Sequence, residues 1–213
     1  MLTTEAAIYT ALKATGIGCD VTAGLSLGEY GALIASGAMT MRDAFAVVRK
    51  RGIYMEQAYP VGGGMSAILG LDAEKIAAIC EETAAKTNKV VSIANYNCPG
   101  QLVISGSVSG IDAACEKMLA AGAKRALKLK VGGAFHSPLM EPARAELAAA
   151  IEATPIHKPS CPVYQNVSTK GETCPETIKA NLIAQLTAPV RWTQSVQTVS
   201  YTHLRAHETG RNL

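Results

Sequence analysis

Ser26 stands in Gly24-Leu25-Ser26-Leu27-Gly28, a G-x-S-x-G pattern between the apolar Val21-Thr22-Ala23 and the helix-forming Glu29–Ala35. A serine on a sharp strand-to-helix turn is a nucleophile elbow, which lifts its hydroxyl to the helix N-terminus. Glycines give the turn room, and the backbone N–H groups there, Leu27 first, favour a developing oxyanion. An ordinary Gly/Ser turn is the alternative. A free serine hydroxyl is a poor nucleophile at neutral pH and needs a base. Before residue 199 the histidines are His136 and His157. His157 lies in Thr154-Pro-Ile-His-Lys-Pro159 and reads as an exposed loop residue. His136 follows Gly132-Gly133 at the edge of an apolar segment, where a general base and a core histidine read alike. Arg49-Lys50-Arg51 offers a cation for an anionic acyl group, but at least two of three successive helix residues must face solvent, and spacing does not choose among them.

These residues need elements to hold them. Residues 2–15 have a helical pattern (Leu2, Ala6, Ile8, Leu12) stopped by Gly16 and Gly18. Asp20–Ala23 reads as a buried strand, and the helix after the elbow runs to about Ser36. Thr40 with Asp43 has the spacing of a capping box, with Asp shorter than the preferred Glu or Gln. It opens a long helix that carries Arg51 and stops at Pro60, before the hinge-like Gly62-Gly63-Gly64. Met65–Leu69, Ala73–Ala85, Val90–Asn95, Leu102–Ser105, Ser109–Ala121 and Arg125–Val131 then read strand-helix-strand-strand-helix-strand, the ferredoxin-like order. After Gly133 come a helix at Ala143–Glu152, a strand at Pro162–Asn166 and a helix at Pro175–Leu186.

Composition narrows the class. The chain has 213 residues, 48% hydrophobic and 17% charged, which suits a globular α/β protein. A net charge of +3 is too small to argue for nucleic acid. The six cysteines (Cys19, Cys80, Cys98, Cys115, Cys161, Cys174) form no C-x-x-C pair, so no metal site is expected, and they read as reduced thiols of a cytoplasmic protein. No apolar run approaches the ~20 residues of a membrane span.

Longer strings resemble the malonyl-CoA:acyl-carrier-protein transacylase family. Ala23–Leu33 is similar to its active-site segment, Arg51-Gly-Ile-Tyr-Met55 to its R-G-x-x-M segment, Asn97-Cys-Pro-Gly-Gln-Leu-Val-Ile-Ser-Gly106 to its N-x-P-G-Q-x-V-I-S-G segment, and Ala134-Phe-His-Ser-Pro-Leu-Met140 to the segment of its catalytic histidine. The resemblance runs from about residue 1 to 198 in the family's order. It implies Ser26 as nucleophile, His136 as base, the Leu27 N–H as oxyanion donor, Arg51 as the holder of the malonyl carboxylate, and Phe135 and Asn97 as further substrate contacts. It implies an α/β-hydrolase-like large subdomain with a parallel sheet (1–62 and 133–198) and an inserted ferredoxin-like small subdomain (63–132). The substrate would be malonyl-CoA and the partner an acyl carrier protein bearing the phosphopantetheine thiol, with no metal or redox cofactor. Lys124, Arg125, Lys128 and Lys130 could meet an acidic carrier, or could equally be a strand edge blunted by lysines. A monomer is expected.

Three departures carry expectations of their own. Leu25 stands where the family commonly has His. The chain reads as a fragment without the family's first strand and G-Q-G-S-Q loop, and without its C-terminal G-P-G-K-V-L segment. A missing oxyanion donor would cost about 3–4 kcal/mol, so the chain alone is expected to be impaired, and the group that orients His136 is expected in the absent C-terminal part. Residues 199–213 resemble a translated sequencing adapter and are set aside from the fold, together with the i, i+4 pair His203 and His207. The rival readings are a serine hydrolase on the same elbow and an inactive, non-catalytic fragment. Arg51 and the lack of an evident acid partner for His136 argue against the hydrolase.

Overall fold

Two sheets with separate cores form the chain, and the computed structural model describes residues 1–204. Helix α1 (Leu2–Ala14) packs Leu2 and Ala6 inward, while Ile8 and Leu12, on the same apolar period, stay exposed. The strand before the elbow is shorter than the sequence suggested. It is β1 (Thr22–Ala23), followed by α2 (Gly28–Ala35) and α3 (Met41–Ala58). The cap of α3 shows what Asp in place of Glu does. The Asp43 N–H donates to Thr40 Oγ1 at 3.1 Å, but the short Asp43 carboxylate accepts from the Thr40 hydroxyl, at 2.6 Å, and not from the Thr40 backbone.

The inserted half is β2 (Gly63–Leu69), α4 (Ala73–Thr87), β3 (Val91–Cys98), β4 (Gln101–Ser107), α5 (Val108–Ala120) and β5 (Arg125–Lys128). The four strands are all antiparallel in the order β3-β4-β2-β5, which is the ferredoxin-like topology. Alternation along the strands gives the sheet two apolar faces. Ile68, Val91, Ile93, Leu102 and Ile104 pack on α4 and α5, and Met65, Ala67, Ala94 and Val103 form a small cluster on the other face. The glycine hinge is partly strand: Gly63 and Gly64 pair with Ser107 and Gly106, leaving Gly62, at φ +84°, as the bend. A Cβ at Gly63 would stand 2.8 Å from the Ala134 backbone nitrogen, so the chain leaves and re-enters the large part in close contact.

After the insertion come a 3₁₀ turn at Pro138–Ala143, α6 (Arg144–Glu152), β6 (Val163–Tyr164), β7 (Gly171–Glu172), α7 (Pro175–Ala184) and α8 (Trp192–Val199). In the three-stranded sheet β1-β6-β7, β1 and β6 run parallel and β7 adds an antiparallel edge. The large core, with Tyr30, Leu33, Met140, Leu147, Ile178 and Leu182 at its centre, joins α1–α3, α6 and α7. Phe135 packs against both this core and the small cluster, tying the two halves together beside His136. Of the segment set aside from the sequence, Val199 closes α8 and 200–204 form a π-helical turn; residues 205–213, His207 among them, lie outside the described residues.

Candidate active site

The elbow is a strained turn between β1 and α2. Ser26 has φ +53°, the left-handed region that L side chains rarely adopt. A Cβ on Gly24 would lie 2.0 Å from the Gly28 carbonyl carbon and oxygen, so the arms of the turn touch backbone to backbone and Gly24 is required sterically. Gly28 has open space where its Cβ would go. Ser26, thus held at the N-terminus of α2, is followed by Leu27, whose N–H has no acceptor among the described residues. Leu25 is 39% exposed, and its carbonyl accepts from the Gly28 N–H at 2.9 Å within the turn.

His136 arrives on the loop before the 3₁₀ turn at Pro138–Ala143, also in the left-handed region at φ +57°. Ser137 fixes this loop: its hydroxyl donates to Ala134 O at 2.6 Å and accepts from the Leu139 N–H. His136 Nε2 lies 2.7 Å from Ser26 Oγ, and Nδ1 lies 2.9 Å from the main-chain oxygen of Gln185. A carbonyl oxygen can only accept, so Nδ1 carries the proton and Nε2 presents its lone pair to the serine hydroxyl. Burial and the nearby Arg51 cation lower the histidine to about 4, so the ring is neutral near pH 7. The orienting group is therefore within this chain, at the end of α7, and not beyond it as the sequence suggested.

Arg51 is the buried member of its basic triplet, 7% exposed, with Arg49 and Lys50 at the surface. Its Nη2 donates to Ser26 Oγ at 2.9 Å and to Gln185 Oε1 at 3.2 Å, and its other nitrogens find no acceptor among the described residues. Burial lowers its pKa, while the neighbouring Tyr30 and Glu29 raise it. A buried guanidinium with unused donors beside a serine hydroxyl has the geometry to receive an anion.

Sequence reasoning missed the residues that hold this arrangement together. Asn166 accepts from the Ser26 N–H at 2.6 Å and donates to Gly24 O at 2.7 Å, clasping both sides of the strained serine. Gln185 Nε2 donates to Ser26 O at 3.1 Å and to Glu29 Oε2 at 2.6 Å. The fully buried Glu29 also accepts from the Asn166 N–H. Burial pushes its carboxyl up to about 8, against the pull of Asn166, Arg51 and Gln185. Among the residues singled out from sequence, Asn97 lies half-buried at an irregularity in β3 between the paired Tyr96 and Cys98, with no hydrogen bond to this cluster. His157 is exposed and engages Ala38 O only through its backbone.

A serine elbow paired with a carbonyl-oriented histidine and a buried arginine, on this two-part α/β scaffold, is the architecture of an acyltransferase. Residues 1–207 match the acyl transferase domain family, and the chain belongs to it. It is similar to the malonyl CoA-acyl carrier protein transacylase of Bacillus subtilis (strain 168), with 46% identity over 197 residues, covering 92% of this chain and 62% of that protein. The transacylase of Staphylococcus aureus (strain COL) is 42% identical over 198 residues, covering 92% and 63%. Among solved structures, the transacylase of Coxiella burnetii superposes with a TM-score of 0.91 at 40% identity, covering 94% of this chain and 63% of that one. A malonyl-transacylase in complex with its type II PKS acyl-carrier protein gives 0.91 at 40% identity, covering 94% and 65%. The chain thus spans less than two thirds of the length of these relatives.

Proposed function

We propose that this chain carries the acyl-transfer site of a malonyl-CoA:acyl-carrier-protein transacylase of fatty acid synthesis. The observation that carries the reading is the convergence of His136 Nε2 and Arg51 Nη2 on Ser26 Oγ, at 2.7 and 2.9 Å. In this reading His136 takes the hydroxyl proton as Oγ attacks the thioester carbonyl of malonyl-CoA. The oxyanion meets the Leu27 N–H and the N-terminal end of α2. The tetrahedral intermediate collapses, the CoA sulfur leaves with the proton from His136, and malonyl remains as an ester on Ser26. The phosphopantetheine thiol of the carrier protein then gives its proton to His136 and attacks the ester, which regenerates the serine.

Substrate choice follows from charge and shape. The free nitrogens of Arg51 suit the malonyl carboxylate, and an acetyl group would leave that cation unpaired in a buried pocket. The Ala134-Phe135-His136-Ser137 segment resembles the malonyl-selective type of acyltransferase, which supports malonyl over a methyl-branched homologue. Asn97 is a substrate contact from the small subdomain. The exposed Lys124, Arg125, Lys128 and Lys130 suit an acidic carrier protein. We read 1–62 with 133–198 as the large subdomain, 63–132 as the small one and 199–213 as a tail foreign to both, in a cytoplasmic monomer; no helix among the described residues is long and apolar enough to cross a membrane. The test is incubation with malonyl-CoA and a holo acyl carrier protein. Malonyl-carrier protein with release of CoA is expected; free malonate formed whether or not the carrier is present would mark a hydrolase.

A further inference from the structure

Glu29 is a buried acid that the acyl-transfer steps do not use, and its surroundings assign it a task. One carboxyl oxygen accepts from the Asn166 N–H and the other from Gln185 Nε2 at 2.6 Å, which are the contacts of the ionised carboxylate, the form that burial confines to pH above about 8. This decides which way the Gln185 amide points. Its NH₂ end faces two acceptors, Glu29 Oε2 and Ser26 O, and its oxygen faces the donor Arg51 Nη2. Turning the amide over would set its oxygen against a carboxylate and a carbonyl, and its NH₂ against a guanidinium. Gln185 can therefore bridge Glu29 and Arg51 in one orientation only, which Glu29 Oε2, Ser26 O and Arg51 Nη2 fix together.

Resting on the transacylase reading, we infer that Glu29 is a positioning residue for substrate selection: through the side chain of Gln185 it holds the Arg51 guanidinium at Ser26 and, in its ionised form, supplies the buried negative charge that balances it. Replacing Glu29 by Gln shows the logic. The Asn166 N–H is fixed in the main chain and keeps the remaining oxygen, so the new NH₂ faces Gln185. Gln185 must then turn its oxygen to that NH₂ and its own NH₂ to Arg51, which drives the guanidinium from its seat. The Gln185 main-chain oxygen, on which His136 depends, does not change.

Two measurements at about pH 9, where Glu29 is ionised, test this. The first needs no activity: urea unfolding of wild type, Glu29→Gln, Arg51→Met and the double variant. The charges balance each other, so the double variant should be clearly more stable than the sum of the two single losses allows; additive losses would overturn the inference. The second is the rate of Ser26 acylation by malonyl-CoA and by acetyl-CoA. Glu29→Gln should lower the malonyl-to-acetyl rate ratio by about tenfold or more, the scale of one charge-assisted hydrogen bond. Gln185→Met, which keeps the main-chain bond to His136, should lower it likewise. A ratio unchanged in both variants, because both substrates slow equally, is what a merely structural role gives, and it would overturn the inference. A wild-type chain acylated no faster by malonyl-CoA than by acetyl-CoA would refute the substrate reading instead, while the unfolding cycle would still decide whether Glu29 and Arg51 are coupled.

Discussion

The two glycines of the elbow look equivalent in the sequence, and the structure predicts opposite results for replacing them. In Gly24→Ala the new methyl would sit 2.0 Å from the Gly28 carbonyl carbon and oxygen and 2.5 Å from the Glu29 nitrogen. These are main-chain atoms at the start of a helix and cannot rotate away. Real contacts of this kind do not fall below 3.0 Å, so the start of α2 must withdraw by about 1 Å or more. Ser26, Leu27 and Glu29 lie within that moving segment. Overpacking of this kind costs about 1–3 kcal/mol of stability, and a displacement of ~1 Å at a reacting atom costs about 100-fold in rate. Gly28→Ala meets nothing within 4 Å and places a better helix former at the start of α2, so stability should be unchanged or up to about 1 kcal/mol higher. Urea unfolding gives the stabilities and single-turnover acylation by malonyl-CoA gives the rates. Equal effects of the two substitutions, or a Gly24→Ala chain of full stability and rate, would refute the steric argument.

Further outcomes follow from the site. With His136 lowered to about 4, acylation by acetyl-CoA, which does not draw on the Arg51 cation, should hold its rate from pH 8 down to about pH 5 and fall below that; a fall centred near pH 6.5 would mean a solvated histidine. The same depression makes the histidine's stability contribution fully present above about pH 6.5 and lost as pH falls through about 4, a change of about 3 kcal/mol. The stability difference between wild type and His136→Gln, followed across that window, reads it directly. Arg51→Met should slow malonyl acylation by roughly 10–100-fold and acetyl acylation far less, and a parallel loss on both substrates would show that Arg51 does not read the carboxylate. Asn166→Ala leaves the Ser26 N–H and the Gly24 carbonyl without their partner, at about 1–3 kcal/mol for each buried group. Its unfolding midpoint should therefore drop, and acylation should slow as the serine relaxes.

What could be read from the sequence is what local pattern encodes. The elbow was legible because Gly24, Ser26 and Gly28 sit between the apolar run Val21–Ala23 and a helix former run. The ferredoxin-like half was legible because its hydrophobic period switches cleanly between two and 3.6. Edges were less so: the strand expected over Arg125–Val131 ends at Lys128, and the two-residue β7 gave no signal. The three polar side chains that knit the site together were not visible at all. Asn166 and Gln185 reach Ser26 across 140 and 159 residues, and no spacing rule links an amide in the turn after a strand or at a helix C-cap to a distant serine. Glu29 was read simply as a helix former, because its burial comes with the distant Asn166 and Gln185 folding onto it. The main-chain oxygen of Gln185 could never show in a search for acidic partners of His136, because it belongs to no side chain.

Mass analysis of the peptide containing Ser26, after brief exposure of the folded chain to malonyl-CoA, tests the central claim most directly. The account predicts a malonyl ester on Ser26 in the parent chain and none in Ser26→Ala or His136→Gln at the same time point. A folded parent chain that stays unmodified, or that carries the acyl group on another residue, would contradict it.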